Sequence, residues 1–132
     1  NKKGETLLNY AIKKNNIELV KYLIEHGANS NKKNKQGITP LICAIKKIDR
    51  SHSESFKKAV IHMLVEHGAD INNHGGKGGK TPLIYAIVYE NEDIVKYLIE
   101  NGSNINKSDF NGKLPLDYAI ESQNKNIMKY LV

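Results

Sequence analysis

The sequence predicts an all-α solenoid of four stacked helix-turn-helix units with β-hairpin-like tips, the fourth unit incomplete. The first observation is a run opening on glycine that recurs four times: GETLLNYAI (4–12), GITPLICAI (37–45), GKTPLIYAI (79–87) and GKLPLDYAI (112–120). A second run follows each: LVKYLIEHGANSN (19–31), VIHMLVEHGADIN (60–72), IVKYLIENGSNIN (94–106) and a shortened IMKYLV (127–132). The third observation is the period, 33 residues from Gly4 to Gly37 and again from Gly79 to Gly112. One such unit cannot bury its apolar face alone, so the units must stack. Between Gly37 and Gly79 the spacing is 42; eight of the nine extra residues fall within KKIDRSHSESFKK and one in the loop before Gly79. The units are placed at about 1–33, 34–75 (with the insertion near 46–57), 76–108 and 109–132, in a single domain.

Each element has its own local cause. Thr39-Pro40 and Thr81-Pro82 mark helix starts: the Thr hydroxyl accepts a first-turn N–H, and Pro occupies the position where its missing donor is not needed. Ala11, Ala44, Ala86 and Ala119 are small where helices approach closely, and larger side chains there would overpack. In the second helices Leu19, Val20, Leu23 and Ile24 fall at helical spacing, matched by Val60, Ile61, Leu64 and Val65 and by Ile94, Val95, Leu98 and Ile99; these are the expected core. Gly27, Gly68 and Gly102 are expected to end those helices in left-handed geometry. A strand-like arm follows, in which Asn29, Asn31, Asp70, Asn72, Asn104 and Asn106 form turns by bonding nearby backbone. Six tyrosines in register, Tyr10, Tyr22, Tyr85, Tyr97, Tyr118 and Tyr130, are expected as framework, while Tyr89 is out of register. In the insertion, Ser51 and Glu54 stand at capping-box spacing and predict a lengthened second helix; Arg50 and Phe56 make a contact loop the functional alternative to a tolerated surface insertion.

These runs resemble the ankyrin repeat. The resemblance rests on Gly-x-Thr-Pro-Leu, on Leu-Ile/Val-Glu-x-Gly-Ala-Asp/Asn-x-Asn and on the 33-residue period, and it covers essentially all 132 residues. It departs from the family pattern where His follows Thr-Pro-Leu: Asn9, Ile42, Ile84 and Asp117 stand there, removing the side chain that bonds between units. Leu7 replaces Pro in the first copy and Leu114 replaces Thr in the fourth, so the end units are expected to be less well capped. The ends are expected to be cuts within a longer array, since exposed end faces need polar capping units.

Composition narrows the function. With 39% apolar and 26% charged residues the chain is an ordinary folded domain, without an apolar run of membrane-spanning length. Cys43 has no companion for a disulfide or metal cluster; it is read as a small core residue in a reducing compartment, the cytoplasm or nucleus, a host cell's cytosol included. The stretch GGKGGKTP (75–82) invites a phosphate-loop reading that fails on spacing: the glycine required before Gly79-Lys80-Thr81 is His74. No apolar strand precedes it, and Pro82 lacks the N–H that an anion would need. His26 and His67 are expected in last helical turns, where the dipole favours them. His62 and His67 are five apart and do not share a face as a zinc pair would. Ser51, Ser53, Ser55, His52 and His74 show no orienting third group for nucleophilic catalysis. A non-catalytic, cofactor-free and metal-free monomer without a small-molecule substrate is expected.

What the resemblance implies is a protein-interaction scaffold, contacting its partner through the tips and the concave side of the first helices. Carrying those contact positions over gives 23 residues, eleven of them Lys and two acidic, a net of +9 against +6 for the whole chain. The remaining residues therefore sum to −3, although Lys, Asn and Ile enrichment points to codon bias as a competing source of charge. The expected partner-binding residues are Lys13, Lys14, Lys33, Lys35, Ile38, Lys46, Lys47, Lys77, Lys80, Val88, Tyr89, Phe110 and Lys113. Tyr89 and Phe110, with Ile38 and Val88, are the expected anchors, because binding energy concentrates in a few desolvated, usually aromatic side chains. An acidic protein or peptide is the expected partner. The alternative is charge-driven binding of nucleic acid or anionic lipid, less favoured because the contact set holds no Arg for bidentate phosphate or base contacts.

Overall fold

The computed structural model describes residues 6–46 and 54–132. Ser51, and with it the first half of the expected capping box, lies outside the described residues. Eight helices are present among those described: α1 (Leu7–Lys13), α2 (Ile17–Glu25), α3 (Pro40–Lys46), α4 (Glu54–Glu66), α5 (Pro82–Val88), α6 (Glu92–Glu100), α7 (Pro115–Ser122) and α8 (Lys125–Leu131). The lengthened helix is there, with 13 residues in α4 against 9 in α2 and in α6. The residues form two compact units, one ending at Asp70 and one beginning at Ile71.

In the first unit α1 packs on α2 and α3, and α4 on α2 and α3. Its core is Leu8, Ala11, Ile12, Val20, Ile24, Leu41, Ile42, Ala44, Ile45, Val60, Ile61 and Leu64, all buried. The second unit repeats the plan with α5 on α6 and α7, and α8 on α6 and α7, around Leu83, Ile84, Ala86, Ile87, Ile94, Val95, Leu98, Ala119 and Ile127. The four alanines are at most 2% exposed, as close helix approach requires. Leu19, Leu23, Val65 and Ile99, expected in the core, are only half-buried. Each lies one residue from a buried position, and a step of about 100° around the helix carries it to the margin of the apolar stripe.

Thr6, Thr39 and Thr81 cap the first helices, their Oγ1 atoms accepting from Asn9 N (3.0 Å), Ile42 N (3.2 Å) and Ile84 N (3.2 Å). The first copy is therefore capped as well as the middle ones, contrary to expectation, because Thr6 supplies the acceptor and only the Pro is missing. The fourth copy fits the expectation in part: Leu114 offers no side-chain cap, although Asp117 Oδ2 accepts its N–H at 2.9 Å. Asn16, Asn91 and Asn124 cap the second helices α2, α6 and α8, a recurrence that the two apolar runs had obscured. Gly27, Gly68 and Gly102 take φ of +87°, +96° and +103°, the left-handed termini expected of them. Just before them, His26 Nδ1 donates to Tyr22 O (2.8 Å), His67 Nδ1 to Met63 O (2.9 Å) and Asn101 Nδ2 to Tyr97 O (2.8 Å), satisfying last-turn carbonyls.

Candidate functional site

The tips are built by side chains that imitate backbone. Asn34 Oδ1 accepts from Gln36 N and Ile38 N, both at 3.0 Å, while Asn34 N donates to Ile38 O (3.0 Å). Asp109 does the same on the later tip, accepting from Asn111 N (2.9 Å) and Lys113 N (3.0 Å) while its own N–H reaches Lys113 O (3.0 Å). Gly75 holds the equivalent place between them, and its N–H bonds Lys80 O at 3.0 Å, one residue farther along. The extra glycine counted in the sequence therefore lies inside this tip. The expected strand-like arms are Asx turns, and the isolated antiparallel bridge Gly75–Lys80 is the β pairing found among the described residues. Asn34, Gly75 and Asp109 escaped the sequence reading as one position because three different residue types occupy it.

In the first unit the structure brings Lys13, Ile38 and Lys46 together around one cleft of about 180 Å³, with Asn34, Gln36 and Cys43 completing its lining. Lys13 and Lys46 occupy the last turns of α1 and α3. Ile38 is a wall rather than a projecting contact, being 8% exposed; Asn34 pins its N–H, and Asn9 Nδ2 donates to its carbonyl at 3.2 Å. That last bond also restores a link between repeats at the position where the usual His is missing. Cys43 is buried, as expected of a small core residue. Lys14 caps α1 with its ammonium 5.6 Å from the Tyr10 ring, and Lys33 and Lys35 are exposed on the tip. Lys47 lies outside the described residues. Tyr10 and Tyr22, expected as framework, are exposed: Tyr22 stacks on His26 at 4.0 Å, holding the helix end rather than the core.

In the second unit Phe110 is 68% exposed yet held in place. Its ring lies across the backbone of Gly79, where a Cβ would come within 2.2 Å of it; its N–H donates to Gly78 O (3.0 Å), and the His74 ring stands 5.2 Å away. His74 is itself fixed by Nε2 donating to Ser108 O at 3.1 Å. Glycine at 79 thus serves both a left-handed φ of +64° and the close approach of an aromatic ring.

Around that ring the charges are partly spoken for within the unit. Lys113 pairs with Glu121 and lies 4.2 Å over the Tyr118 ring, so its charge is not presented alone. Tyr118 donates its hydroxyl to Asp109 Oδ2 at 2.5 Å. Burial alone would raise the Asp109 carboxyl, but the hydrogen bonds from Tyr118, Lys113 and Asn111 and the charge of Lys80 carry it below its ordinary value. Burial, the bond to Asp109 and the nearby carboxylate charges of Asp109 and Glu121 push the Tyr118 phenol up to about 12. Tyr85 is buried, donates to Gly75 O at 2.9 Å, and is raised by that burial and by Tyr89. Tyr85 and Tyr118 are framework as expected, whereas Tyr130 is exposed. Lys77 is exposed; the Lys80 ammonium folds back over Gly78, which a Cβ would meet at 3.3 Å. Val88 ends α5 and Tyr89 caps it, 43% and 37% exposed.

No group of three or more His, Cys, Asp and Glu lies together among the described residues, and no helix there is long and apolar enough to cross a membrane. The family model described as ankyrin repeats (3 copies) matches residues 1–74 and 52–132. The chain is 32% identical over 105 residues to the human transient receptor potential cation channel subfamily A member 1, covering 80% of this chain and 9% of that protein. It is 32% identical over 97 residues to rat ankyrin repeat and SAM domain-containing protein 6, covering 73% of this chain and 10% of that protein. Over 47 residues, 36% of this chain and 10% of the relative, it is 45% identical to the NF-kappa-B inhibitor cactus of Drosophila yakuba. The chain thus spans about a tenth of these relatives' length. With Thr-capped first helices, left-handed glycines closing the second helices, side-chain-built tips and matches along both halves, this chain belongs to the ankyrin repeat family.

Proposed function

We propose that this domain is a protein-interaction module that takes an acidic polypeptide segment on its tips and first-helix surfaces, with Phe110 as an anchor. Ankyrin repeats are in general non-catalytic interaction modules, and the Drosophila yakuba relative cactus is named an NF-kappa-B inhibitor. The observation that carries the reading is the pinned exposure of Phe110. This ring, 68% exposed, is held in one place before any partner arrives, which lowers the ordering cost of binding. Lys77 and Lys80 on the neighbouring tip of the same unit supply positive charge that speeds encounter with an acidic surface.

An affinity capture with the recombinant domain at two salt concentrations, repeated with Phe110→Ala, tests the reading. A protein partner whose capture weakens about tenfold or more in the variant supports it, since anchor truncations cost about 2 kcal/mol or more. Capture unchanged by Phe110→Ala removes the anchor. Salt-sensitive binding of duplex or single-stranded DNA with no protein captured would instead favour a charge-driven nucleic-acid binder.

A further inference from the structure

Asparagine followed by glycine occurs twice in the chain, at Asn101-Gly102 and Asn111-Gly112, and the two pairs stand in opposite settings. In such a pair the glycine nitrogen can reach the asparagine side-chain carbonyl, because glycine carries no side chain to block the approach. We propose that Asn111 is a self-modification site, converting through a cyclic imide with Gly112 to aspartate or isoaspartate, and that the isoaspartate form loosens the tip that carries Phe110. The bearing of this on binding rests on the reading of Phe110 as an anchor, which Phe110→Ala tests separately.

The conversion consumes only water. The Gly112 nitrogen gives its proton to solvent and attacks Asn111 Cγ; the new C–N bond closes the imide ring, the Cγ–Nδ2 bond breaks, and Nδ2 leaves as ammonia, taking a proton from water. Water then opens the ring at one of its two carbonyl carbons. Opening at Cγ restores the ordinary backbone with a carboxylate side chain, whereas opening at the main-chain carbon routes the backbone through the side-chain methylene.

Local structure selects Asn111 over Asn101. Asn111 is exposed, and among the described residues its side-chain amide has no hydrogen-bond partner; its main-chain N–H is held by Asp109 Oδ1 at 2.9 Å. The Gly112 N–H makes a turn bond to Asp109 O at 3.1 Å, and a Cβ on Gly112 would meet nothing within 4 Å, so the nucleophile is uncrowded once that bond opens. Asn101 is locked instead. Its Nδ2 donates to Tyr97 O at 2.8 Å, its N–H bonds Tyr97 O and Leu98 O, and the Gly102 and Ser103 N–H groups bond Ile99 O (3.2 Å) and Leu98 O (2.9 Å), with Ser103 buried. Forming the imide there unwinds the last turn of α6, while at Asn111 it opens a tip turn already in water.

The consequence follows from the Asp109 bonds. Asp109 Oδ1 accepts from Asn111 N and Lys113 N together, immediately after Phe110. The extra backbone atom of isoaspartate falls between those two N–H groups, so one carboxylate oxygen no longer holds both.

The domain is aged at mildly alkaline pH, folded and in urea, and both sites are followed by peptide mapping with isoaspartyl methyltransferase labelling. In the folded domain position 111 is expected to convert about tenfold faster than position 101, since two or three more hydrogen bonds must open at the helix end. In urea the two rates should converge. Equal rates in the folded domain, or the same ratio in urea, overturn the selection by structure. Amide hydrogen exchange then reads the tip: the Lys113 N–H is expected to exchange about tenfold faster in the isoaspartate fraction, and to stay slow in Asn111→Asp, which adds the charge without the extra backbone atom. Asn111→Gln, whose imide ring is larger and closes slowly, should age without either change. Unaltered Lys113 exchange in the isoaspartate fraction, or equal acceleration in aged Asn111→Gln, overturns the loosening, and neither result touches the anchor reading.

Discussion

Asn31 clamps the backbone of Asp70: its Oδ1 accepts the Asp70 N–H at 2.6 Å while its Nδ2 donates to Gly68 O at 3.0 Å. One amide therefore joins the end of the first repeat to the helix terminus of the second. Asn72 makes the same pair of bonds in the second unit, to Asn104 N (2.7 Å) and Gly102 O (3.2 Å). Only a side chain with both donor and acceptor can do this. Asn31→Asp keeps the acceptor but turns a carboxylate toward the Gly68 carbonyl, and Asn31→Ala loses both bonds. Each is expected to destabilise by about 1–2 kcal/mol, at the lower end because the site is exposed. Urea unfolding with an unchanged m-value and a lowered midpoint would show it. A midpoint unmoved by Asn31→Ala would mean that solvent replaces the clamp without cost.

Gly79 and Gly112 separate backbone strain from contact with Phe110. Both have positive φ, +64° and +80°, so Ala at either place costs about 1–2 kcal/mol for left-handed geometry. A Cβ at Gly79 would strike the Phe110 ring at 2.2 Å, whereas one at Gly112 meets nothing within 4 Å. Gly79→Ala is therefore expected to lose partner capture as Phe110→Ala does, and Gly112→Ala to lose stability alone. The comparison is read by thermal unfolding and capture on the same two proteins. Equal capture by both would show that the ring's position is immaterial.

The Asp109–Tyr118 bond gives stability a dependence on pH at both extremes. Asp109 is held below its ordinary value, so its contribution is present above the unfolded carboxylate pKa near 4 and is lost as pH falls through the lower folded value. Tyr118 is raised to about 12, so its contribution is full below the unfolded phenol pKa near 10 and is lost as pH rises toward 12. Tyr118→Phe should remove the latest phenolate step in an ultraviolet titration and flatten the fall in stability between about pH 10 and 12. Asp109→Asn should flatten the acid limb and bring the Tyr118 step earlier. A Tyr118 step that stays put in Asp109→Asn would assign the shift to burial and the charges of Glu121 and Tyr85 rather than to Asp109.

The period, the Thr and Gly punctuation and the alanine contacts were legible in the sequence because each is a local requirement met by one residue type. What was not legible is carried by residues whose role depends on a partner many positions away. Asn31 and Asn72 read as turn formers, since nothing local reveals that their amides reach the next repeat. Ile38 reads as an exposed tip residue until Asn9 and Asn34 draw it in. Lys113 reads as a free charge until Glu121, eight residues on, stands beside it. Lys80 likewise acts on Asp109 within the unit. Phe110 was legible as an aromatic at a contact position, but the reason for its fixed place, a glycine 31 residues earlier, was not.

Leu114 tests how much of helix initiation at the fourth repeat is carried by the side-chain cap. The other first helices begin on Thr6, Thr39 and Thr81, each bonding the N–H three residues on. At α7 the Asp117 carboxylate accepts the Leu114 N–H, which is one half of a capping box, while the Leu114 side chain has no acceptor for the Asp117 N–H. Leu114→Thr completes the reciprocal pair at a site 38% exposed, where the lost apolar contact is small. It is expected to stabilise by about 0.5–1 kcal/mol. Asp117→Ala should cost a similar amount in the natural sequence and more in Leu114→Thr, because the two bonds share one turn and couple. A double-mutant cycle by urea unfolding measures that coupling, and additive effects would show that the two halves of the box act independently.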